Sequence, residues 1–146
     1  PRPLFDAVRA GLEAMAARVE YLGERPDLAA VYKLCGNAFI IGLNALVADV
    51  LTVARGGGLP ADDALGVVNY FNPVAAIQNR GRLMARRDWT ANFELAMARK
   101  DVRLMLETGQ GPWALLPSLA ARMDHLLAEG HGADDLTVLG IDAVPA

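Results

Sequence analysis

Apolar residues recur at helical spacing along most of this chain, and strand-like alternation is scarce. From Leu4 to Arg18 the apolar positions fall on one side of a helix, which predicts an amphipathic helix. Only the segment 19–23 alternates apolar and polar residues as a strand would. The pattern therefore predicts helices and no sheet.

Turns rich in Pro, Gly and acidic residues divide the rest of the chain into further helices. Pro and acidic residues favour the first turn of a helix, whereas Gly favours its end. We predict these further helices over 27–55, 59–70, 73–79, 93–108 and from Trp113 or Pro117 to 129, with a last one that begins at 133. Together with the N-terminal helix they make about seven, so the predicted fold class is all-α.

The longest predicted helix, from Asp27 to Arg55, contains no Pro and is apolar on almost every face. Such a helix in a soluble protein is surrounded by other protein surfaces. A chain of 146 residues is too short to surround it alone, so we expect a second copy or another domain to cover part of it. We therefore predict a helical bundle around one long central apolar helix. Asn37, Asn44 and Asp49 interrupt the apolar run, which argues against a membrane span.

The composition excludes several classes of protein. With 53% hydrophobic and 21% charged residues, the chain is too apolar to be disordered. A net charge of -3 disfavours binding to nucleic acid. The single cysteine, Cys35, cannot form an intrachain disulfide, and no Cys/His cluster has zinc-ligand spacing. We expect a cytoplasmic protein without a bound metal.

Two lysines stand out, because every other residue among the 14 basic ones is arginine. Arginine stays protonated, whereas lysine can release its proton and act as an acid or base. Lys33 and Asn37 are four positions apart and share a helix face. An amine beside a carboxamide suits a group that exchanges a proton with a substrate oxygen. The alternative is a lysine that reaches into solvent, with the Asn side chain satisfied by neighbouring helices.

The second lysine lies in a helix with an aromatic residue two turns earlier. Phe93 and the pair Lys100–Asp101 are seven or eight positions apart, so they project from one side. Such a face could hold an anionic group with the amine and a ring with the phenyl group. The alternative is an ordinary amphipathic helix, with Phe93 in the core and Lys100 in solvent.

No other motif predicts chemistry. The three glycines 56–58 do not form a dinucleotide fingerprint, because no strand precedes them and the G-x-G-x-x-G spacing is absent. Four arginines between positions 80 and 87 could clamp a phosphate or carboxylate, but the pattern favours a solvated connection. The chain therefore contains no recognisable nucleotide-binding half.

From Tyr21 to about Val144, the sequence resembles the C-terminal helical domain of the β-hydroxyacid dehydrogenase family, the relatives of 3-hydroxyisobutyrate and 6-phosphogluconate dehydrogenases. The resemblance rests on a K-x-x-x-N pattern from Lys33 to Asn37, a helix restart at 58–62, Phe93 ahead of Lys100–Asp101, and a later helix near Pro117.

The resemblance implies a function for each of these residues. Lys33 would exchange a proton with the substrate oxygen, and Asn37 would position that oxygen. Lys100 would contact NAD or NADP, while Phe93 and Asp101 would border the substrate, a small hydroxy acid or semialdehyde. The cofactor would be held mainly by a Rossmann domain that is missing from this chain.

In this interpretation the chain is one helical C-terminal domain. Residues 1–25 would connect it to the missing Rossmann domain, and residues 26–146 would form the helical core of a homodimer or higher homo-oligomer. Two alternatives stay open. One is an imine reductase-like oxidoreductase domain, although imine reductases usually lack a lysine at this point of the long helix. The other is a non-catalytic helical dimerisation module.

Overall fold

The computed structural model describes residues 1–70 and 72–145, and the described chain is helical without strands. The six α-helices are α1 (Arg2–Glu13), α2 (Leu28–Gly56), α3 (Ala61–Leu65), α4 (Pro73–Ala85), α5 (Leu95–Gly109) and α6 (Leu116–Ala128). Short 3-10 helices cover Gly66–Asn69, His131–Ala133 and Leu136–Gly140. The predicted all-α fold class is confirmed.

Several predicted elements differ from the structure. The helix predicted over 59–70 is α-helical only over Ala61–Leu65 and continues as the 3-10 helix Gly66–Asn69. The first helix ends at Glu13 rather than Arg18, and Met15 beyond it is 79% exposed, so no packing surface extends the helix. The segment 19–23 forms no strand, because no described strand is available to pair with it. The helix predicted from 133 is replaced by two 3-10 helices, the second capped by Asp135.

α4 is longer than predicted and continues through the arginine-rich segment to Ala85. Its start has the expected chemistry, since Asn72 Oδ1 accepts a hydrogen bond from Ala75 N at 3.0 Å and Pro73 occupies the first turn. Its last turn packs on the 3-10 helix Leu136–Gly140, where the Met84 side chain lies against Gly140. This packing explains why the helix does not stop at residue 79.

The chain divides into two compact units, residues 1–43 and residues from 44 onward. The first unit contains α1, the connection to α2 and the N-terminal part of α2. The Phe5 and Tyr21 rings pack with centroids 5.1 Å apart, and the Arg2 guanidinium lies over the Tyr21 ring. None of residues 1–43 is buried, so this unit has no core of its own.

The second unit has a well-defined core between α5 and α6. Its buried members are Leu95, Ala98, Val102, Leu116, Ala120, Met123, Leu126 and Val138. They recur every three or four residues on both helices, which is the spacing that places apolar side chains on one face. This unit therefore supplies the stable part of the chain.

The long helix α2 buries only Asp49 and Ala54 within this chain. Large apolar side chains such as Leu34 (66% exposed) and Ile41 (69% exposed) remain uncovered. By length and composition alone α2 could cross a membrane, which holds for no other described helix. The covering of α2 by another protein surface, rather than by lipid, stays a prediction.

Candidate functional site

Lys33 and Asn37 lie one turn apart on α2, within the first unit. Both side chains are exposed, and neither has a hydrogen-bond or ion-pair partner among the described residues. Tyr32 and Leu34 beside them are 62% and 66% exposed. The amine and the carboxamide are therefore accessible to a ligand. The apolar side chains beside them on the same helix are exposed as well.

Phe93, Lys100 and Asp101 belong to the second unit. Phe93 precedes the first residue of α5 by two positions, and its partly buried ring packs against the core. Lys100 Nζ lies 3.2 Å from Asp101 Oδ1, and both side chains are nearly half exposed. Lys100 and Asp101 thus form an ion pair at the surface. The Phe93 ring lies at the edge of the core.

The structure brings the predicted site residues together in two groups. Lys33 and Asn37 share a helix face in one unit, whereas Lys100 and Asp101 lie on α5 of the other. Phe93 precedes α5, so the helical spacing that predicted it to project from the same side as Lys100–Asp101 does not apply to it. Neither unit contains all five residues. The assembled five-residue site stays a prediction.

Asp49 is a buried carboxylate whose role the sequence did not predict. It is 1% exposed, and its oxygens accept hydrogen bonds from the backbone N–H groups of Ala114 (2.7 Å), Leu115 (2.9 Å) and Leu116 (2.7 Å). Burial raises the pKa of the Asp49 carboxyl, but these three donors outweigh it and leave that pKa below its usual value. Asp49 therefore caps the start of α6, where Leu115 offers no capping side chain.

Asp135 is a second buried carboxylate, with no exposed surface. Its Oδ1 accepts hydrogen bonds from Thr137 N at 2.9 Å and Arg80 Nη1 at 3.1 Å. Its Oδ2 accepts from Asn92 N at 2.9 Å and Phe93 N at 3.0 Å. Burial raises the pKa of Asp135, but the backbone donors overcome it and lower that pKa to about 2. From the sequence, an acidic residue after the Gly-rich turn at 130–132 predicts the start of a helix, and it does not predict that the carboxylate is buried.

The arginine-rich segment is not the solvated connection that its composition favoured. Arg80 binds the buried Asp135, and Arg87 Nη1 donates to Ile141 O at 3.0 Å and Val144 O at 2.7 Å. Folding brings these acceptors from more than 50 positions away, and no local pattern predicts them.

In the part of the chain that the structure describes, no three His, Cys, Asp or Glu side chains are grouped to hold a metal.

No protein-family model matches this chain, and none of the curated proteins matches it. Among solved structures, an imine reductase from Myxococcus stipitatus in complex with NADP+ is similar, with a TM-score of 0.81 and 18% identity. The match covers 95% of this chain and 53% of the reductase. An imine reductase from Pseudomonas sp. has a TM-score of 0.77 and 18% identity over 92% of this chain and 49% of its own.

A variant of the Myxococcus stipitatus enzyme in complex with NAD+ is also similar, with a TM-score of 0.68 and 18% identity. This match covers 95% of the present chain and 52% of the variant. At this level of identity the likeness concerns the fold. The chain spans about half the length of these reductases and has the fold of the matching half.

Proposed function

We propose that this chain is the helical substrate and subunit-contact domain of an NAD(P)-dependent oxidoreductase that acts on a hydroxy acid or semialdehyde. The observation that carries the proposal is the fold shared with imine reductases in complex with NADP+ and NAD+ over 95% of the chain. The accessible Lys33–Asn37 pair on α2 supplies the groups for the proposed proton exchange with the substrate oxygen. Fold alone does not imply activity, so the proposal depends on these two residues.

The proposed role of Lys33 follows from the charge that moves during the reaction. The nicotinamide supplies or accepts the hydride. When the substrate carbonyl is reduced, negative charge grows on its oxygen, and the Lys33 ammonium stabilises this charge and delivers the proton. In the reverse direction the Lys33 amine accepts the hydroxyl proton. The Asn37 amide donates a hydrogen bond that orients the same oxygen.

The chain itself fits only a small part of a dinucleotide. No strand and Gly-rich turn precede a helix among the described residues, so no phosphate-binding loop is present there. Lys100 is half exposed and can offer a single cationic contact to NAD or NADP, while Phe93 and Asp101 border the substrate. The rest of the cofactor would be bound by a Rossmann domain supplied by another part of the protein.

The exposed apolar side chains of α2 support association with a second copy. Five large apolar side chains between positions 32 and 41, including Phe39 and Ile40, are more than half exposed, and uncovered apolar area of this extent marks an interface. We expect static light scattering of the purified chain to give at least twice the 15.5 kDa of one copy. A stable monomer at high concentration would contradict the homodimer.

The free, exposed Cys35 supports a reducing, cytoplasmic location.

The experiment that tests the function uses the longer polypeptide of which, in this proposal, the chain is one domain. It is supplied with NADPH or NADH and screened with semialdehydes, and with NADP+ or NAD+ and β-hydroxy acids. We expect turnover of a hydroxy acid or its aldehyde. Absence of turnover with both classes and both cofactors would contradict the proposal.

An imine reductase is the second candidate, since the similar solved structures described above are imine reductases. Cyclic imines belong in the same screen for this reason. Turnover of imines but not of semialdehydes or hydroxy acids would select this candidate. The lysine at position 33 favours the first candidate, because the family resemblance implies that imine reductases usually lack a lysine at this point of the long helix.

A further inference from the structure

The segment that carries Phe93 is held in place by a residue more than 40 positions later in the chain. The N–H groups of Asn92 and Phe93 both donate to Asp135 Oδ2, at 2.9 and 3.0 Å. Glu94, the N-cap of α5, makes no capping hydrogen bond with its side chain. The start of α5 therefore has no side-chain cap of its own, and Asp135 holds the backbone that leads into it.

Backbone hydrogen bonds reinforce this attachment. Asp135 N donates to Trp89 O at 2.9 Å, Leu136 N donates to Phe93 O at 2.8 Å, and Leu95 N donates to Asp134 O at 2.8 Å. The segments 89–95 and 134–136 thus run side by side and exchange three bonds. The Asp135 carboxylate accepts from the N–H groups of residues 92 and 93, which these three backbone bonds do not use.

Asp135 itself cannot move without breaking other bonds. Its second oxygen accepts from Thr137 N and from Arg80 Nη1, and the carboxylate is fully buried. All four acceptor positions of the carboxylate are in use, so it has none left for a ligand. Asp135 is therefore placed to act through the backbone that it holds.

We propose that Asp135 is a positioning residue, which keeps the Phe93 ring at a fixed place beside the substrate. The inference rests on the proposed function, in which Phe93 borders the substrate. The Phe93 ring sits at the margin of the core and is only partly buried, so a backbone shift at 92–93 moves it directly. A displacement of about 1 Å near a reacting centre costs up to roughly a hundredfold in rate.

The test compares Asp135→Asn with Asp49→Asn, a matched control. Both replace a buried carboxylate that accepts several backbone hydrogen bonds, but Asp49 holds residues 114–116 instead of 92–93. In each variant the carboxamide keeps one acceptor oxygen, but its NH2 group faces the donors that the second carboxylate oxygen had served and leaves them unpaired. Kinetics are measured in the longer polypeptide, with the cofactor and the hydroxy acid, aldehyde or imine that it turns over, at a temperature where circular dichroism shows both variants folded.

We expect Asp135→Asn to lower kcat/KM about tenfold or more, while Asp49→Asn lowers it less than about twofold. We expect the double variant Phe93→Ala, Asp135→Asn to be no slower than Phe93→Ala, because both changes act through the same ring. Equal losses in the two Asn variants, or additive losses in the double variant, would overturn the inference. A Phe93→Ala variant with unchanged kinetics would overturn it too, and would leave the role of Lys33 untouched.

Amide hydrogen exchange of the 146-residue chain gives a readout that is independent of turnover. We expect Asp135→Asn to accelerate exchange at Asn92 and Phe93, and Asp49→Asn to accelerate it at 114–116. Unchanged exchange at Asn92 and Phe93 would overturn the inference even if the longer polypeptide proved active. Conversely, failure of the whole substrate screen with the expected exchange pattern would reject the proposed function and, with it, the role of Asp135 in that reaction.

Discussion

Replacing Lys33 by alanine is expected to reduce turnover of the hydroxy acid or semialdehyde by roughly a hundredfold to ten-thousandfold. The change removes the one group proposed to exchange a proton with the substrate oxygen. It should leave the fold intact, because the Lys33 side chain is exposed and has no partner among the described residues. Steady-state kinetics in the longer polypeptide, with circular dichroism of the same sample, measure both effects.

A further variant separates the effect of proton exchange at Lys33 from the effect of its positive charge. Lys33→Arg keeps the positive charge but cannot release a proton at neutral pH, so we expect it to be nearly as slow as Lys33→Ala. Arg25→Ala is a matched control, since Arg25 is an exposed cation near the start of α2 that pairs with Asp27 at 2.7 Å. We expect its turnover to be close to that of the unaltered protein. An Lys33→Ala variant with normal kcat would show that the assignment of Lys33 is wrong.

Substituting alanine for Gly56 is expected to destabilise the chain by about 3 kcal/mol, near the upper end of the usual cost of overpacking. Gly56 is the last residue of α2, and a Cβ there would lie 2.7 Å from Gly109 Cα and also overlap the Thr108 carbonyl. These atoms are backbone at the end of α5, so no side-chain rotation relieves the clash. The two helix ends would have to separate.

The neighbouring glycine provides the control. A Cβ on Gly57 would find its nearest atom at 3.5 Å, which is an ordinary contact, and its φ is not in the left-handed region. We expect thermal unfolding followed by circular dichroism to give a melting temperature about 10 °C lower for Gly56→Ala than for Gly57→Ala. Melting temperatures within about 2 °C of each other would contradict the close approach of α2 and α5.

Much of the helical pattern was readable from local sequence. The spacing of apolar residues predicted α2 almost to its ends, and Pro and Asn residues around position 73 marked the start of α4. The end of α4 was missed, because its last turn is held by packing on the 3-10 helix Leu136–Gly140. Such packing depends on chain segments far apart in sequence, which local periodicity does not report.

The residues of the candidate site, like the helices, were predictable from local sequence only in part. Lys33 and Asn37 could be singled out because a lysine among arginines and a carboxamide one turn later are local features. The roles of Asp49, Arg80 and Asp135 could not, since their partners lie 55 or more positions away or are backbone N–H groups without a residue signature.

By itself the sequence determined the all-α class, the long apolar helix and the one helix face that carries an amine and a carboxamide. These follow from side-chain periodicity and chemistry within a few turns. Only the tertiary structure decided that two acids are buried and that Arg80 and Arg87 bind acceptors from distant segments. Burial and long-range hydrogen bonds arise when distant segments meet, and a residue's identity does not specify which backbone donors will surround it.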